Sequence, residues 1–255
     1  MSHTATPVRW APRVLVLGYS GLLAGVAGFV NAVALLVLAF PVGNLTAVTT
    51  ELGMDSANPT GWLYECHVLA AILFGFLGGT ATAGAALAAS DTHTGPRHAA
   101  VLVTEAALLL LAAIGVEETV IQAKFAAIGV EQTVVQAGLA AAALGLQNGA
   151  SSSFGGMAIR TTHFTGTITD LGLMLGRSRQ HGIDKWKTAV LTTTLLLFLA
   201  GGAAGVMTGS RFGGYALIIP AAVCGAVVAA SLLHDRRRRT YRACATAEPA
   251  QTDAR

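Results

Sequence analysis

Long apolar stretches alternate with short polar ones along the whole chain. Six stretches are continuously apolar and rich in Ala, Leu and Gly, and they fall at 14–40, 63–89, 99–117, 134–150, 188–208 and 212–234. A helix needs about 20 apolar residues to cross a bilayer, whereas the strands of a membrane barrel alternate apolar and polar residues over about ten positions. The pattern therefore predicts an all-α polytopic membrane protein with about six transmembrane helices.

The composition indicates that lipid solvates most of the chain. Of the 255 residues, 53% are hydrophobic and 11% are charged, whereas soluble domains carry about 25% charged residues. Cys66, Cys224 and Cys244 form no CxxC pair, so we expect neither a disulfide nor a metal site. The chain has no catalytic or cofactor-binding motif, and we predict no enzymatic activity and no cofactor. A formal net charge of +3 gives no reason to expect a nucleic-acid partner.

The basic residues lie almost entirely on one side of the predicted membrane. If the N-terminus is inside, every Lys and Arg except Lys124 and Arg211 falls in an inside segment. The first outside loop, 41–62, contains no basic residue. The positive-inside rule then places both termini in the cytoplasm. The run RRRRTYR at 236–242 suits an anchor beside anionic lipid, in addition to the bilayer contact of the spans.

A tandem duplication lies between the third and fourth apolar stretches. The segment AAIGVEETVIQAKF (112–125) is followed at once by AAIGVEQTVVQAGL (126–139). We interpret it as a lengthened connection between two spans.

A second, weaker repeat relates the two halves of the chain. Subtracting 123 from the residue numbers places 166–169 (GTIT) on 43–46 (GNLT) and 201–202 (GG) on 78–79 (GG). Two halves of three spans each would be inverted relative to one another in the membrane, as in many secondary transporters. The predicted division is a tail at 1–13, a first half at 14–117, a connector at 118–133, a second half at 134–234 and a basic tail at 235–255.

Two short polar segments, 43–53 and 166–176, correspond in this repeat. Each has 11 residues and would span about 16 Å as a helix, which is half a bilayer. Lipid cannot satisfy such polar groups. The segments are either half-helices that enter the membrane from opposite faces or ordinary interfacial helices.

Four motifs resemble those of the YoaK-type bacterial inner-membrane proteins. They are GFVNA (28–32), VGNLT (42–46), LGLQNG (144–149) and RTTHFTGTITDLG (160–172). The resemblance covers nearly all of the chain outside its tails. It implies a multi-pass protein of the bacterial inner membrane, in a family that is a domain of unknown function.

Ionisable residues in or near the spans are the leading candidates for function, because charge is costly there. Asp170 either caps a helix, as the acid of a Thr167-x-x-Asp170 capping box, or contacts a substrate or ion. Arg160 is either a cytoplasmic anchor or a bidentate ligand for an anion. His163 is a weaker candidate for a proton relay. Glu105 interrupts an apolar span and is either a structural hydrogen-bond partner or a proton-coupling carboxylate.

Polar uncharged residues complete the predicted pathway. Asn31 and Asn148 occupy equivalent Gly-x-x-Asn positions and either tie helices together or line a polar cavity. The full set of candidates for a substrate or ion pathway is Asn31, Gly43, Asn44, Glu105, Asn148, Arg160, His163, Thr165, Gly166, Thr167 and Asp170.

The predicted function is secondary transport or export of a small polar solute. The inverted repeat and its paired polar segments favour it. The alternative is a membrane partner or assembly protein that transports nothing. A membrane-embedded enzyme ranks below both, because no nucleophile–base pair is visible. Homo-oligomerisation stays open.

Overall fold

A computed structural model describes residues 13–57, 62–88, 95–117, 131–152 and 161–246. Within these ranges the regular structure is entirely helical, as the sequence predicts. The helices are α1 (Arg13–Leu38), α2 (Leu45–Asp55), α3 (Trp62–Leu87), α4 (Pro96–Glu117), α5 (Gln132–Ser152), α6 (Phe164–His181), α7 (Lys185–Phe212), a 3₁₀ helix (Gly213–Leu217) and α8 (Ile218–Thr246).

Three residues set the end of α6 and the start and end of α7. Gly182 has φ 70° after α6, and Gly213 has φ 57° after α7. Glycine adopts this left-handed conformation without the steric penalty of a side chain. Asp184 caps the start of α7, because its Oδ1 accepts the N–H groups of Trp186 and Lys187 at 3.0 Å each. The chain can therefore turn sharply on both sides of α7.

Helices α1 and α7 pack side by side and run in the same direction. Near their first residues, the Arg13 guanidinium lies 5.5 Å from the centre of the Trp186 ring. Further along, the backbones approach so closely that a Cβ on Gly28 would lie 2.0 Å from the Phe198 carbonyl oxygen. Only small residues permit such an approach, as is common between helices in membranes.

Helices α3 and α5 form a second parallel seam of the same kind. A Cβ on Gly75 would lie 2.5 Å from the Gly138 carbonyl oxygen. One to two turns further along, the Thr80 hydroxyl donates to the Gly145 carbonyl at 3.1 Å. These two seams are the most extensive helix–helix contacts among the described residues.

The remaining contacts fix the direction of every long helix. Tyr19 of α1 packs in one cluster with Ala99, near the start of α4, and with Val228, in the second half of α8. At the other end, Gln132 at the start of α5 donates to the carbonyl of Gly115 near the end of α4. We call the end where α1, α4 and α7 begin the first end of the bundle, and the end where α3, α5 and α8 begin the second end.

Four helical runs are long and apolar enough to cross a membrane, by length and composition, in the part of the chain that the structure describes. They are Arg13–Leu38, Cys66–Leu87, Pro96–Gly115 and Lys185–Leu233. The protein is therefore a membrane-type helical protein, but the predicted number of six spans is not confirmed. The predicted spans 188–208 and 212–234 fall within the single run Lys185–Leu233.

The predicted span 134–150 is a helix, α5, but it is not among the apolar runs because Gln and Asn residues lower its hydropathy. It is instead the most enclosed helix of the bundle. Every residue from Ala143 to Ser151 is buried, mainly against α3 and α4. Large apolar side chains such as Phe74 and Leu175 are exposed on the outside of the bundle, at 72% and 71%. Lipid-facing surfaces have this composition.

Three predicted boundaries are corrected by the structure. The polar segment 166–176 belongs to a longer helix, α6, which begins at Phe164 and ends at His181. Helix α5 begins at Gln132, inside the predicted connector. Helix α8 continues beyond 234 to Thr246, into the predicted basic tail. The first polar segment has the predicted length, since α2 has 11 residues. Residues 118–130, nearly half of the tandem duplication, lie outside the described residues.

Candidate functional site

Glu105 is a fully buried carboxylate in the interior of the bundle. Its exposure is 0%, and neither carboxylate oxygen has a hydrogen-bond partner among the described residues. The Cys224 thiol of α8 lies beside the carboxylate, close enough to interact with it. The Tyr19 hydroxyl of α1 also interacts with it electrostatically. Whether Glu105 is a structural hydrogen-bond partner or a proton-coupling carboxylate therefore stays a prediction.

The sequence of α4 explains how Glu105 reaches this position. It lies nine residues after Pro96, about 13 Å from the first end of the bundle. The turns on either side are apolar, with Leu102 and Leu109 both buried. A carboxylate on this face must enter the core when α4 packs, and burying it without a partner costs several kcal/mol if it is charged.

A second polar cluster lies one turn of α1 away. Gln147 of α5 is fully buried, and its Nε2 donates to the Leu23 carbonyl and to the Thr161 hydroxyl, the latter at 3.2 Å. Its Oε1 has no partner among the described residues. Because Leu23 and Tyr19 are four residues apart on α1, the Gln147 and Glu105 clusters are neighbours along one helix face.

Gln147 is a site residue that the sequence reasoning missed. It lies inside the LGLQNG motif, directly before Asn148, which was chosen for its match to Asn31. The available signal was a second amide residue in a run that is otherwise apolar on both sides.

Asn31 and Asn148 each hold the start of a polar segment. The Asn31 Oδ1 accepts the Gly43 N–H at 2.8 Å. The Asn148 Oδ1 accepts the Thr162 N–H at 3.4 Å and the Thr161 hydroxyl at 3.5 Å. Each Asn thus ties its own helix to the segment that follows it, which refines the expectation that they tie helices together.

The start of α6 lies deep in the bundle, and its end lies near the first end. The rings of Phe164 and Phe198 are 5.8 Å apart between centroids, and Phe198 is at the middle of α7. Six residues later, Asp170 Oδ2 lies 3.0 Å from Lys187 Nζ in the first turn of α7. These two positions on α7 are about 16 Å apart. Helix α6 therefore runs antiparallel to α7 and begins near mid-depth.

Helix α2 also begins inside the bundle, but it does so near the second end. Its start is fixed by Asn31, which lies seven residues before the end of α1, about 10 Å inside the bundle. Gly43 is also in contact range of Leu144, in the second half of α5. Both polar helices thus begin inside the bundle and lead outwards, α2 at the second end and α6 at the first.

The capping box predicted for Thr167 and Asp170 is wrong. Helix α6 begins four residues earlier than this box requires, with His163 rather than Thr167 as its N-cap residue. The Thr167 hydroxyl donates to the His163 carbonyl at 3.0 Å, and the Asp170 carboxylate pairs with Lys187. Both members of this ion pair are about two-fifths exposed, so Asp170 does not resemble a buried coupling group.

The first turns of α6 and α2 differ in their capping. The Asn44 Oδ1 accepts the Ala47 N–H at 3.2 Å and caps α2. His163 makes no side-chain cap bond at α6, and its ring lies over Gly166, where a Cβ would come within 2.0 Å of Nε2. Thr165 is exposed in this turn. Of the predicted site residues, the structure thus brings together Asn148, His163, Thr165, Gly166 and Thr167, and separately Asn31, Gly43 and Asn44.

Arg160 lies outside the described residues. Among the described residues, no group of three or more His, Cys, Asp or Glu side chains is arranged to hold a metal ion.

The chain belongs to the family described as "Protein of unknown function (DUF1275)", whose sequence model matches residues 20–230. This membership is consistent with the resemblance to YoaK-type proteins and confirms an uncharacterised domain family. Comparison with curated proteins and with solved structures finds no match. The function therefore has to be argued from the geometry of the bundle.

Proposed function

We propose that this family member is a multi-pass protein of the bacterial inner membrane that transports or exports a small polar solute, with Glu105 as the carboxylate that couples transport to protons. The observation that carries the proposal is the full burial of Glu105, whose carboxylate lies beside the Cys224 thiol and has no ion-pair partner among the described residues. Ionisable groups inside membrane proteins are rare, and they mark ion and proton pathways.

The helix directions support six crossings in two inverted halves. The run Lys185–Leu233 reverses direction at Gly213, since α7 begins and α8 ends at the first end of the bundle. Helix α5 runs through the bundle under the cover of its neighbours, so it does not need a fully apolar surface. With these elements counted, crossings alternate in direction along the chain, and the start of α1 and the end of α8 lie on one side.

The two seams support the same division. Helix α1, the first of its half, packs in parallel against α7, the second long helix of the other half. In the same way, α5 packs in parallel against α3. The polar helices α2 and α6 lie at opposite ends. An exchange of the two halves would map each seam and each polar helix onto its counterpart, which is the geometry of inverted-repeat transporters.

Glu105 would couple by exchanging a proton with one side of the membrane at a time. A neutral acid can stay buried in the apolar core at little cost, whereas the anion is stable only when water or a cation reaches it. A conformation that opens one end would therefore load the proton, and one that opens the other end would release it. Asp170 fits this role less well, because it is exposed and paired with Lys187.

The test compares wild-type protein with Glu105→Gln after reconstitution into liposomes. A thermal-shift screen against small polar metabolites first identifies a solute that stabilises the purified protein. A pH gradient should then drive accumulation of that solute by the wild type, and Glu105→Gln should lose at least about 100-fold of the gradient-driven flux, as expected for a required proton-transfer group. Asp170→Asn serves as the matched control and should retain most of the flux.

Equal gradient-driven flux by the wild type and Glu105→Gln would overturn the role of Glu105. If no solute stabilises the protein and it instead co-purifies with another membrane protein, the alternative of a non-transporting partner is favoured.

A further inference from the structure

We infer that the first turn of α6 and the Gln147 carboxamide form a binding site for a small carboxylate that carries a hydrogen-bond donor beside its carboxyl group. Amino acids and hydroxy acids have this chemistry. The inference rests on the proposed transport function and names the substrate class for it.

The hydrogen-bond donors of the site are backbone amides. In the first turn of α6, the Phe164 N–H donates to the Thr162 carbonyl, and the Thr167 N–H donates to the His163 carbonyl. The N–H groups of Thr165 and Gly166, between them, have no backbone acceptor among the described residues. His163 supplies no side-chain cap either. Free amides at a helix start bind anions, helped by the helix dipole.

The acceptor of the site is the Gln147 carbonyl oxygen. This side chain is fully buried, and its Oε1 has no partner in the part of the chain that the structure describes. The amide nitrogen of the same carboxamide donates to the hydroxyl of Thr161, two residues before the N-cap residue of α6. The carboxamide therefore lies against the segment that leads into α6. A buried acceptor without a partner is costly unless a donor arrives, so an ammonium or hydroxyl group of a ligand would satisfy it.

The depth of the site explains why polar groups can remain exposed there. The start of α6 lies opposite Phe198, at the middle of α7. Thr165 is nonetheless exposed. Non-helical and polar backbone at membrane depth is tolerated where it is enclosed by protein or lines a water-filled cavity. The site is therefore expected to meet water rather than lipid in at least one conformation.

The charges around α6 favour a single negative charge on the ligand. The basic residues that the structure describes on α6, Arg177 and Arg179, lie more than three turns from its start. Backbone amides and the helix dipole amount to about half a positive charge. This suits a monocarboxylate better than a doubly charged phosphate. Glu105 lies one turn of α1 away from Gln147. It would therefore respond to the charge of the bound solute without contacting the carboxylate of the solute.

The binding test uses the purified full chain and a panel of small compounds in thermal-shift titrations. Small amino acids and lactate carry both the carboxylate and the hydrogen-bond donor. Propionate lacks the donor, ethanolamine lacks the carboxylate, and in amino acid methyl esters the carboxylate is esterified. Inorganic phosphate tests for a general anion site. We expect saturable stabilisation by an amino acid or a hydroxy acid only, and which of the two responds identifies the donor. Stabilisation by phosphate or propionate to the same degree, or by no compound with both groups, would overturn the inference.

A matched pair of proline variants tests the location. Thr165→Pro removes an amide donor from the second helical position of α6, and Thr46→Pro makes the same change at the second position of α2. Proline is tolerated in the first turn of a helix, so both variants should fold. Thr165→Pro should weaken binding at least tenfold, and Thr46→Pro should leave it unchanged. Equal effects of the two variants would contradict the site.

Flux measurements separate this inference from the transport function. If the bound acid is not carried across liposome membranes by the wild type, transport fails and the binding site stands. If a solute is carried and Thr165→Pro does not change its flux, transport stands and the site is wrong. Gln147→Met removes the acceptor and should weaken binding of the amino acid or hydroxy acid.

Discussion

The starts of α2 and α6 correspond in the chain but are built differently. At α2, Asn31 holds the Gly43 N–H at 2.8 Å and Asn44 caps the first turn. At α6, the Asn148 contact to the Thr162 N–H is longer, at 3.4 Å, and the N-cap residue His163 makes no cap bond. The first start has a side-chain cap on one first-turn amide, and the second has no side-chain cap. The chemistry of the protein is therefore to be sought at α6.

The glycine seams show the opposite behaviour, because the two of them are alike. Both run parallel, and both bring backbones together where no Cβ would fit. The halves thus share the framework that sets their shape and differ where a ligand would bind. Four substitution experiments, in order of expected effect, test whether this contrast is correct.

The largest effect is expected from filling a seam. A Cβ on Gly28 would lie 2.0 Å from the Phe198 carbonyl oxygen, and one on Gly145 would lie 2.2 Å from that of Phe76. Gly28→Ala and Gly145→Ala should each lower the free energy of unfolding by about 3 kcal/mol or more, because backbone must move. Gly78→Ala, which meets no atom within 4 Å, is the control and should be neutral or stabilising. Thermal unfolding in detergent measures all three. A large loss at one seam only would show that the seams are not equivalent.

The next effect separates the two Asn contacts. Asn31→Ala removes the acceptor of a well-formed hydrogen bond and leaves the Gly43 N–H unpaired in a buried position, at a cost of about 1–3 kcal/mol. Asn148→Ala removes longer contacts and should cost less. Equilibrium unfolding of both variants gives the ranking, and a greater loss for Asn148→Ala would reverse the contrast between the two starts.

A smaller difference is expected at the N-cap positions. Asn44→Ala should destabilise α2 by about 1 kcal/mol, since its side chain caps the Ala47 N–H. His163→Ala should change stability by less, because the structure gives its side chain no cap bond. Hydrogen exchange of the first-turn amides of each helix measures the local effect. Equal losses at both positions would mean that α6 is capped after all.

The smallest effect concerns the ion pair that joins α6 to α7. Asp170 and Lys187 are both about two-fifths exposed, and such pairs contribute less than about 1 kcal/mol. A double-mutant cycle with Asp170→Asn and Lys187→Met should give a coupling energy in that range. A coupling of several kcal/mol would show that this pair is a buried element of the site, contrary to its exposure.

Much of the fold follows from the sequence because lipid imposes a simple rule. Continuous apolar runs predicted each of the long helices, and the Gly-Gly pairs marked parts of both seams. The predicted number of six crossings is not confirmed, because α5 carries Gln136, Gln147 and Asn148 and is not among the four runs that are apolar enough to cross. Hydropathy alone cannot distinguish a polar helix inside a bundle from a loop.

The site was harder to predict because its groups come from different helices. Asn31 and Asn148 were found through the repeat, and Glu105 through its position in an apolar span. The capping box placed the N-cap of α6 four residues too late, since the Thr167-x-x-Asp170 pattern matches a box whose acid in fact pairs with Lys187. That pairing depends on how α6 packs against α7, which the local sequence does not contain.

The central claim is that α2 and α6 enter the protein from opposite faces of the membrane. Single cysteines at Thr46 and Thr165, in a chain whose native cysteines are replaced by serine or alanine, can be labelled with a membrane-impermeant maleimide in right-side-out and in inverted vesicles. Both side chains are exposed, so both sites are open to reagent that reaches them. We expect Thr46→Cys to react only from the outer face and Thr165→Cys only from the cytoplasmic face. Reaction of both positions from the same face would contradict the proposed arrangement of the two halves.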